Sequence, residues 1–487
     1  MKGQKMLNIS HFDQQAFELN SKLKSAINEG SKEIILSPGE FHLRGNLLED
    51  KYCFVSNNDS GWKRILFDFT GVDNFVLDGN GAHLIFYGEI MPIRISNSSN
   101  ITIKNLTIDW HRPFFSQGIV TKTESNTIFF NVDTEKYPLN ADTGRLIAYD
   151  GLGWQTNDLW NMLCYDSNRQ EIIPDMPENW HLSNYHKAEV LSHGEFKIEA
   201  SFAQLPTVNT PIVFMHGNRV APGIFIDASK NIRIEATTVH HAPGMAMIAQ
   251  VSENITLHKY NVLPSGDRLF SSWVDASHFV DCNGHILIEN CRFEGQFDDA
   301  SNIHGVFWDV IEKISNQKIR VQIIHPQQVG ILNIVVGDQI ALHEKYTHQF
   351  VHMTNALEIE PLNNNIYDIT LETIPENIEN LVIRRYRQDS LVEIKNNHFG
   401  ANRGRGLLLS VPGKIIVKDN YFHVDGAAIE ITSDTKYWWE SGPVEDVEIF
   451  NNHFDDCGFG VNGKVLFHIG PDLPEKETSP IFNSISD

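Results

Sequence analysis

Val392-Glu-Ile-Lys-Asn-Asn-His-Phe399, Ile415-Ile-Val-Lys-Asp-Asn-Tyr-Phe422 and Val447-Glu-Ile-Phe-Asn-Asn-His-Phe454 are three versions of one phrase. Each is apolar at alternate positions, turns on Asn-Asn or Asp-Asn, and closes on Phe. Alternation with period two marks a strand with one buried face. The steps from Val392 to Ile415 and from Ile415 to Val447 are 23 and 32 residues. Shorter forms recur upstream at Asn74-Phe-Val-Leu-Asp, Asn100-Ile-Thr-Ile-Lys, Asn231-Ile-Arg-Ile-Glu, Asn254-Ile-Thr-Leu-His and His285-Ile-Leu-Ile-Glu. There the steps are 26 residues from Phe75 to Ile101, 23 from Ile232 to Ile255 and 31 from Ile255 to Ile286. A strand repeated at that interval buries its inward face only when another coil stacks on it, which is the logic of a solenoid. The predicted fold is all-β, a parallel β-helix with Ile, Val and Leu inside. Asn at the corners tolerates left-handed backbone and can bond its counterpart one rung away. A sandwich or barrel also has many short strands, but it gives no reason for equivalent rungs to repeat one phrase.

The phrase is missing from 112–218 and from 306–388, although both contain strand-like pieces such as Thr127-Ile-Phe-Phe-Asn-Val and Lys318-Ile-Arg-Val-Gln-Ile-Ile. These are read as two small inserted β-domains leaving from rung corners, where repeat proteins accept insertions. The chain then divides into an N-terminal cap with the first coils (1–111), the first insert (112–218), central coils (219–305), the second insert (306–388) and the last coils (389–487). Phe17, Leu19, Leu23, Ala26 and Ile27 have the spacing of an amphipathic helix over Asp13 to Asn28, suited to plug the open end of the first coil.

Sixty-two acidic against 39 basic residues give a net charge of −23 over 487 residues. That field repels nucleic acid, anionic lipid and polyanionic glycans and leaves a neutral ligand as the better partner. The 29 Phe, 9 Trp and 12 Tyr leave aromatic rings to spare for a sugar-stacking surface. No apolar run approaches the roughly 18 residues of a membrane span. The opening Met1-Lys-Gly-Gln-Lys-Met-Leu-Asn has no apolar stretch behind it. It reads as a cytoplasmic protein as written, or a secreted or periplasmic one with its signal trimmed. Five cysteines without CxxC spacing suggest neither a disulfide framework nor a zinc site. No metal or cofactor is expected, and the oligomeric state is open, a dimer being one option.

The densest polar run is Trp273-Val-Asp275-Ala-Ser-His278, followed by Phe293-Glu-Gly-Gln-Phe-Asp298-Asp299-Ala-Ser-Asn302-Ile-His304-Gly305. Asp275 and Asp298 are 23 residues apart, the shortest coil step in the chain. That spacing predicts equivalent positions on adjacent rungs, about 4.8 Å apart. With Asp299 beside them, three like charges push at least one pKa upward, the arrangement that glycosidic cleavage uses for its acid and base. Two alternatives stand on the same residues: an Asp-Asp turn that caps backbone amides, and a calcium site. Asn302 and His304 also read as ordinary corner residues.

The run from Asp275 to Gly305 resembles the signature region of glycoside hydrolase family 110, the bacterial α-1,3-galactosidases that include enzymes removing the blood-group B galactose. Asn105-Leu-Thr-Ile-Asp109-Trp110, Asn402-Arg403-Gly-Arg405-Gly-Leu-Leu, and Gly426-Ala-Ala-Ile through Asp434 to Tyr437-Trp438-Trp439-Glu440-Ser-Gly are similar to that family in the same order, from about residue 70 to about 470. The resemblance implies a right-handed β-helix with two inserted β-barrels and an exo-acting enzyme that releases terminal α-1,3-linked galactose from glycans with inversion. It implies catalysis by Asp275, Asp298 and Asp299, with Asp298 as general acid and Asp275 and Asp299 positioning and deprotonating water. Asn302, His304, Arg403, Arg405, Asp434, Trp438 and Glu440 are the candidate substrate contacts. The two arginines read equally as ligands of sugar hydroxyls, as counter-ions of the Asp cluster or as solvated corner charges, and Trp438 and Trp439 as stacking or packing residues. Stacked carboxylates about 5 Å apart suit retention, whereas inversion calls for roughly 6.5–9.5 Å, so inversion rests on the resemblance alone. The family carries further coils after the segment like Val465-Leu-Phe-His-Ile-Gly-Pro-Asp. This chain ends at Asp487, which reads either as a short form whose polar tail covers the last rung or as a truncated one. A polygalacturonase-like hydrolase or polysaccharide lyase on the same scaffold is the rival enzyme. A β-helix adhesin is the non-enzymatic rival and predicts a ladder without an acidic cluster.

Overall fold

The computed structural model describes residues 9–180, 182, 187–387, 389–460 and 465–474. Two long sheets, of fifteen and eleven strands and mainly parallel, run along one solenoid. The coil steps read from the sequence are its true registers: Ile232 lies opposite Ile255, Ile255 opposite Ile286, Val392 opposite Ile415, and Ile415 opposite Val447. Ile232, Ile255, Ile286, Val392 and Ile415 are all buried in the core that the coils share.

The Asn pair at each corner divides two tasks. The first residue, Asn396, Asp419 or Asn451, takes the left-handed backbone with φ of 55°, 58° and 56°. The second builds a ladder: Asn397 Nδ2 donates to Asn420 Oδ1 at 3.0 Å, and Asn420 Nδ2 donates to Asn452 Oδ1 at 3.0 Å. Each of these side chains also donates to a carbonyl of the rung before, from Asn397 to Ile288 and from Asn420 to Ile394, both at 2.9 Å. A second, exposed ladder joins Asn254 to Asn231 and Asn231 to Asn100.

A helix over Ile9–Asn28 covers the first coil. Ala16, Leu19 and Leu23 join the core, and Asn20 Nδ2 donates to the Leu66 carbonyl at 2.7 Å. Among the described residues no helix is long and apolar enough to cross a membrane.

Both interruptions are built of antiparallel strands. After Ser99–Trp110 the chain forms a seven-stranded sheet between Phe115 and His216, then resumes the solenoid at Ile224–Asp227, which pairs with Met91–Ser96. Among the described residues this sheet has Asn179–Trp180 and Lys187–Ser192 at its two edges. The second interruption, from Trp308–Lys313 to Leu381–Arg385, closes as a six-stranded barrel. Past it, Leu391–Lys395 pairs with Asn283–Glu289 and Leu407–Ser410 pairs with Ser301–Val306, so the solenoid continues in register. The tail expected to cover the last rung lies outside the described residues, as does the opening Met1–Asn8.

Candidate active site

Asp275 precedes the strand Ser277–Val280, and Asp298 and Asp299 precede Ser301–Val306 on the next rung. Ser277 lies opposite Ser301, and the Ala276 N–H donates to the Asp299 carbonyl at 3.1 Å. The rung partner of Asp275 is therefore Asp299, and the expected equivalence of Asp275 with Asp298 is off by one residue. This coil is one residue longer than the shortest step in the chain. Asp298 falls in the turn and leans toward solvent, with 22% of its side chain exposed against 4% for Asp275 and 2% for Asp299.

One carboxylate oxygen from each of the three lies within 4.8 Å of the others, yet their partners differ. Asp299 is gripped by Arg405: Nε donates to Oδ1 at 2.8 Å, Nη2 to Oδ2 at 3.0 Å, and the Arg405 backbone N–H to Oδ1 at 2.9 Å. Burial raises its pKa to about 6, against the pull of the guanidinium. Asp275 has Oδ2 2.6 Å from His278 Nδ1, while Oδ1 accepts the Asp299 N–H at 3.2 Å. Burial, and then the charges of Asp298 and Asp299, push Asp275 well above the ordinary carboxylate range. Asp298 accepts no hydrogen bond at its carboxyl among the described residues; Arg219 Nη2 and Arg403 Nη1 stand off at 3.8 and 4.0 Å.

The loop Asn402-Arg403-Gly404-Arg405 is what lets two arginines flank one dipeptide. A Cβ on Gly404 would lie 2.5 Å from the Asp298 carbonyl carbon, so only glycine permits this approach, and Asn402 Nδ2 fixes it by donating to the Asp298 carbonyl at 2.9 Å.

Behind Asp275 the polar chain continues inward. His278 Nε2 is 2.9 Å from His304 Nε2, and His304 Nδ1 donates to the Gly305 carbonyl at 2.7 Å. Glu440 Oε1 is 3.5 Å from His304 Nε2 and accepts from Asn57 Nδ2 at 3.0 Å. Donor atoms of His278, His304 and Glu440 converge within 4.8 Å, and the two rings already hydrogen-bond each other.

The cluster floors a cavity of about 200 Å³, smaller than the roughly 300–1,000 Å³ of sites for drug-sized ligands. Its walls include Asn57, Arg219, Asn302, Arg405, Glu430 and Glu440, and its rim Tyr437 and Trp438. The Arg219 guanidinium lies 5.5 Å over the Trp438 ring, and His325 packs on that ring with centroids 4.6 Å apart.

Comparison with known proteins adds relatives to this geometry. Residues 116–210 match the family model described as GLAA-B beta-barrel domain I. Alpha-1,3-galactosidase A of Shewanella woodyi is 29% identical over 93% of this chain and 75% of its own length. Alpha-1,3-galactosidase B of Bacteroides thetaiotaomicron is 31% identical over 88% of this chain and 71% of its own. The chain belongs to glycoside hydrolase family 110. Among solved structures, an exopolygalacturonase from Thermotoga maritima covers 93% of this chain and 71% of its own at 10% identity and a TM-score of 0.36, a likeness too slight to bear on function.

The structure sorts the candidate contacts of this family 110 chain. Asn302, Arg405, Asp434, Trp438 and Glu440 line the cavity. Asn302 Oδ1 is buried with no hydrogen-bond partner among the described residues, on a side chain that lines the cavity. Asp434 is spent on its own turn: it accepts the backbone N–H of Lys436, of Tyr437 at 2.9 Å and of Trp438 at 2.7 Å, and so shapes the aromatic rim. His304 is fully buried and does not line the cavity; its Nε2 lies beside His278 and Glu440. Arg403 does not line the cavity either. It is neither solvated nor free for a sugar, since Glu178 of the first insert engages its Nε at 2.5 Å and its Nη2 at 3.1 Å. Sequence reasoning missed Asn57, Arg219, Glu178, Glu430 and the pairing of His278. Of these His278 alone had a signal, three residues after Asp275 in the same polar run.

Proposed function

We propose that this chain is an exo-acting hydrolase of terminal α-1,3-linked galactose on glycans, working by a single displacement with inversion. The observation that carries the reading is the trio of aspartates in three different environments lining a cavity of about 200 Å³. Family membership and the names of the relatives support the linkage. Asp298, the least buried and the one without a hydrogen bond, is the general acid that protonates the leaving oxygen. Asp275 and Asp299 hold and deprotonate the attacking water.

Inversion rests on the family resemblance, since one oxygen from each carboxylate lies within 4.8 Å of the others, closer than the roughly 6.5–9.5 Å of inverting pairs. A retaining enzyme needs one carboxylate as nucleophile and a second group as acid and base. Both oxygens of Asp299 lie in the Arg405 fork and each oxygen of Asp275 has a hydrogen-bond contact, so Asp298 is the member of the trio whose carboxyl has none among the described residues. With Asp298 as the general acid, water is the nucleophile.

The electrostatics favour a neutral sugar over a uronate. The two guanidinium groups of the cavity, Arg219 and Arg405, face Asp298 and Asp299, while Glu430, Asp434, Glu440 and Asp472 add acidic groups to the wall. A uronate carboxylate would meet net negative charge. The test is incubation with linear Galα1,3Gal and fucose-branched B oligosaccharides and with polygalacturonate, with and without EDTA. Free galactose, undiminished by EDTA, is expected. Uronic acid or unsaturated products would move the chain to the rival class, and EDTA loss restored by calcium would contradict metal-free hydrolysis.

A further inference from the structure

We propose that Asp275, His278, His304 and Glu440 form a buried proton relay that makes Asp275 the general base, with His304 beside Glu440 receiving the proton that Asp275 must give up. The proposal rests on the reading of the trio as catalytic and adds roles for two buried histidines.

The direction of each hydrogen bond follows from the last one. The Gly305 carbonyl only accepts, so His304 Nδ1, 2.7 Å away, carries a hydrogen. A neutral His304 then presents a lone pair at Nε2, and His278 Nε2, 2.9 Å away, must be the donor. That leaves the lone pair of a neutral His278 on Nδ1, which lies 2.6 Å from Asp275 Oδ2. The hydrogen in this short contact comes from a protonated Asp275. Take that one proton away, and one of the two contacts is left without a hydrogen.

The same proton count supports a second state with no heavy atom displaced. The Asp275 Oδ2 proton moves to His278 Nδ1, and the His278 Nε2 proton moves to His304 Nε2. Asp275 becomes a carboxylate, His278 stays neutral, and His304 becomes an imidazolium with Glu440 Oε1 3.5 Å from its Nε2. Surrounding charge decides where the cation belongs. Asp275 faces Asp298, Asp299, Arg219 and Arg405, and the same two arginines face His278 and oppose a charge there. At the far end His304 faces Glu440, Asp281 and His325. Asp299 has no comparable outlet, because protonating it would break the charge-assisted fork to Arg405.

In the reaction, the oxygen of water forms the new bond to the anomeric carbon, and one water proton passes to Asp275 Oδ1. The bond from that carbon to the leaving oxygen breaks with its electron pair on oxygen, which takes the Asp298 proton. Meanwhile the Oδ2 proton of Asp275 runs down the chain to His304. Solvent returns a proton to Asp298 and accepts one from the relay, which closes the cycle.

The test is His304→Gln, which keeps a polar side chain but cannot store a proton. At neutral pH its kcat is expected to fall about a hundredfold, in the range for lost acid–base assistance, with KM little changed. Its kcat should also climb with pH where wild type is level, since Asp275 must then lose its proton to solvent. A uniform loss with an unmoved pH profile would make His304 merely structural and overturn the relay. Should the variant not fold, ¹⁵N-histidine NMR of the wild-type protein reads the same proposal. Neutral His278 protonated on Nε2 and neutral His304 protonated on Nδ1 are expected. An imidazolium at His278, or one stoichiometric zinc between the rings, would overturn it. Full activity in Asp298→Asn would instead sink the catalytic trio, whatever the ring tautomers are.

Discussion

Two stacks of polar side chains cross the rungs of this solenoid, one of asparagines and one of aspartates. In the ladder of Asn397, Asn420 and Asn452, each amide donates to one neighbour while its oxygen serves the other, so a row of like residues satisfies itself. Like carboxylates cannot do this; each must find a different partner. Asp299 takes an arginine, Asp275 a histidine, and Asp298 no hydrogen-bonding group. The difference teaches how a repeat makes a site: where stacked residues complement themselves they hold the fold, and where they repel, chemically identical residues acquire separate roles.

The largest break in this comparison is expected from Asp298→Asn. Its carboxyl makes no hydrogen bond, so thermal melting should be unchanged, while kcat on a terminal α-1,3-galactoside falls by at least about a hundredfold. A folded variant with near wild-type kcat would remove Asp298 from the reaction. Asn420→Ala should do the converse. It leaves the buried Asn397 N–H without its acceptor and removes the Asn420 amide from the Ile394 carbonyl, while Asn397 Nδ2 keeps the Ile288 carbonyl and Asn452 Oδ1 keeps the Asn420 N–H. Buried groups left unpaired cost about 1–3 kcal/mol each. Chemical denaturation should show a clear loss of stability, with kcat preserved in the folded protein; equal stability would mean that the ladder is ornamental.

The smallest loss of stability at neutral pH, and the sharpest test of protonation, is expected from Asp275→Asn. The amide can donate to His278 Nδ1 and accept from the Asp299 N–H, which copies the protonated acid. Because the folded-state pKa of Asp275 is raised, the folded protein keeps a proton that the unfolded chain releases near pH 3.9. Wild-type stability should then fall as pH rises from about 4 toward the raised value, by up to about 1.4 kcal/mol per pH unit. The variant should lose that slope and be at least as stable at neutral pH, though inactive. Unfolding free energies at about pH 5 to 8 test this. A variant that keeps the slope, or is weaker throughout, would show that Asp275 is ionised in the resting protein.

The parts legible in the sequence are those the repeat writes more than once. Ile232, Ile255 and Ile286 occupy one core column, so their spacing by itself states the register. The same spacing misplaced Asp298, because coils here differ in length at their turns and a single residue decides which aspartate stacks. Closure of the second insert depends on pairing between first and last strands, which local alternation does not encode. Asn57 bonds Glu440 across 383 positions, and Glu178 bonds Arg403 across 225, each from a loop or insert without a repeat. Neither has a periodic signal to read.

The central claim is that two of three clustered carboxylates are tied to protein partners while the third, Asp298, serves as the acid, so that water is the nucleophile. Proton NMR of the galactose first released from a Galα1,3-terminated oligosaccharide tests this directly, before mutarotation mixes the anomers. Single displacement predicts the β-anomer. Initial α-galactose would require an aspartate, Asp298 included, to attack carbon and would contradict the account.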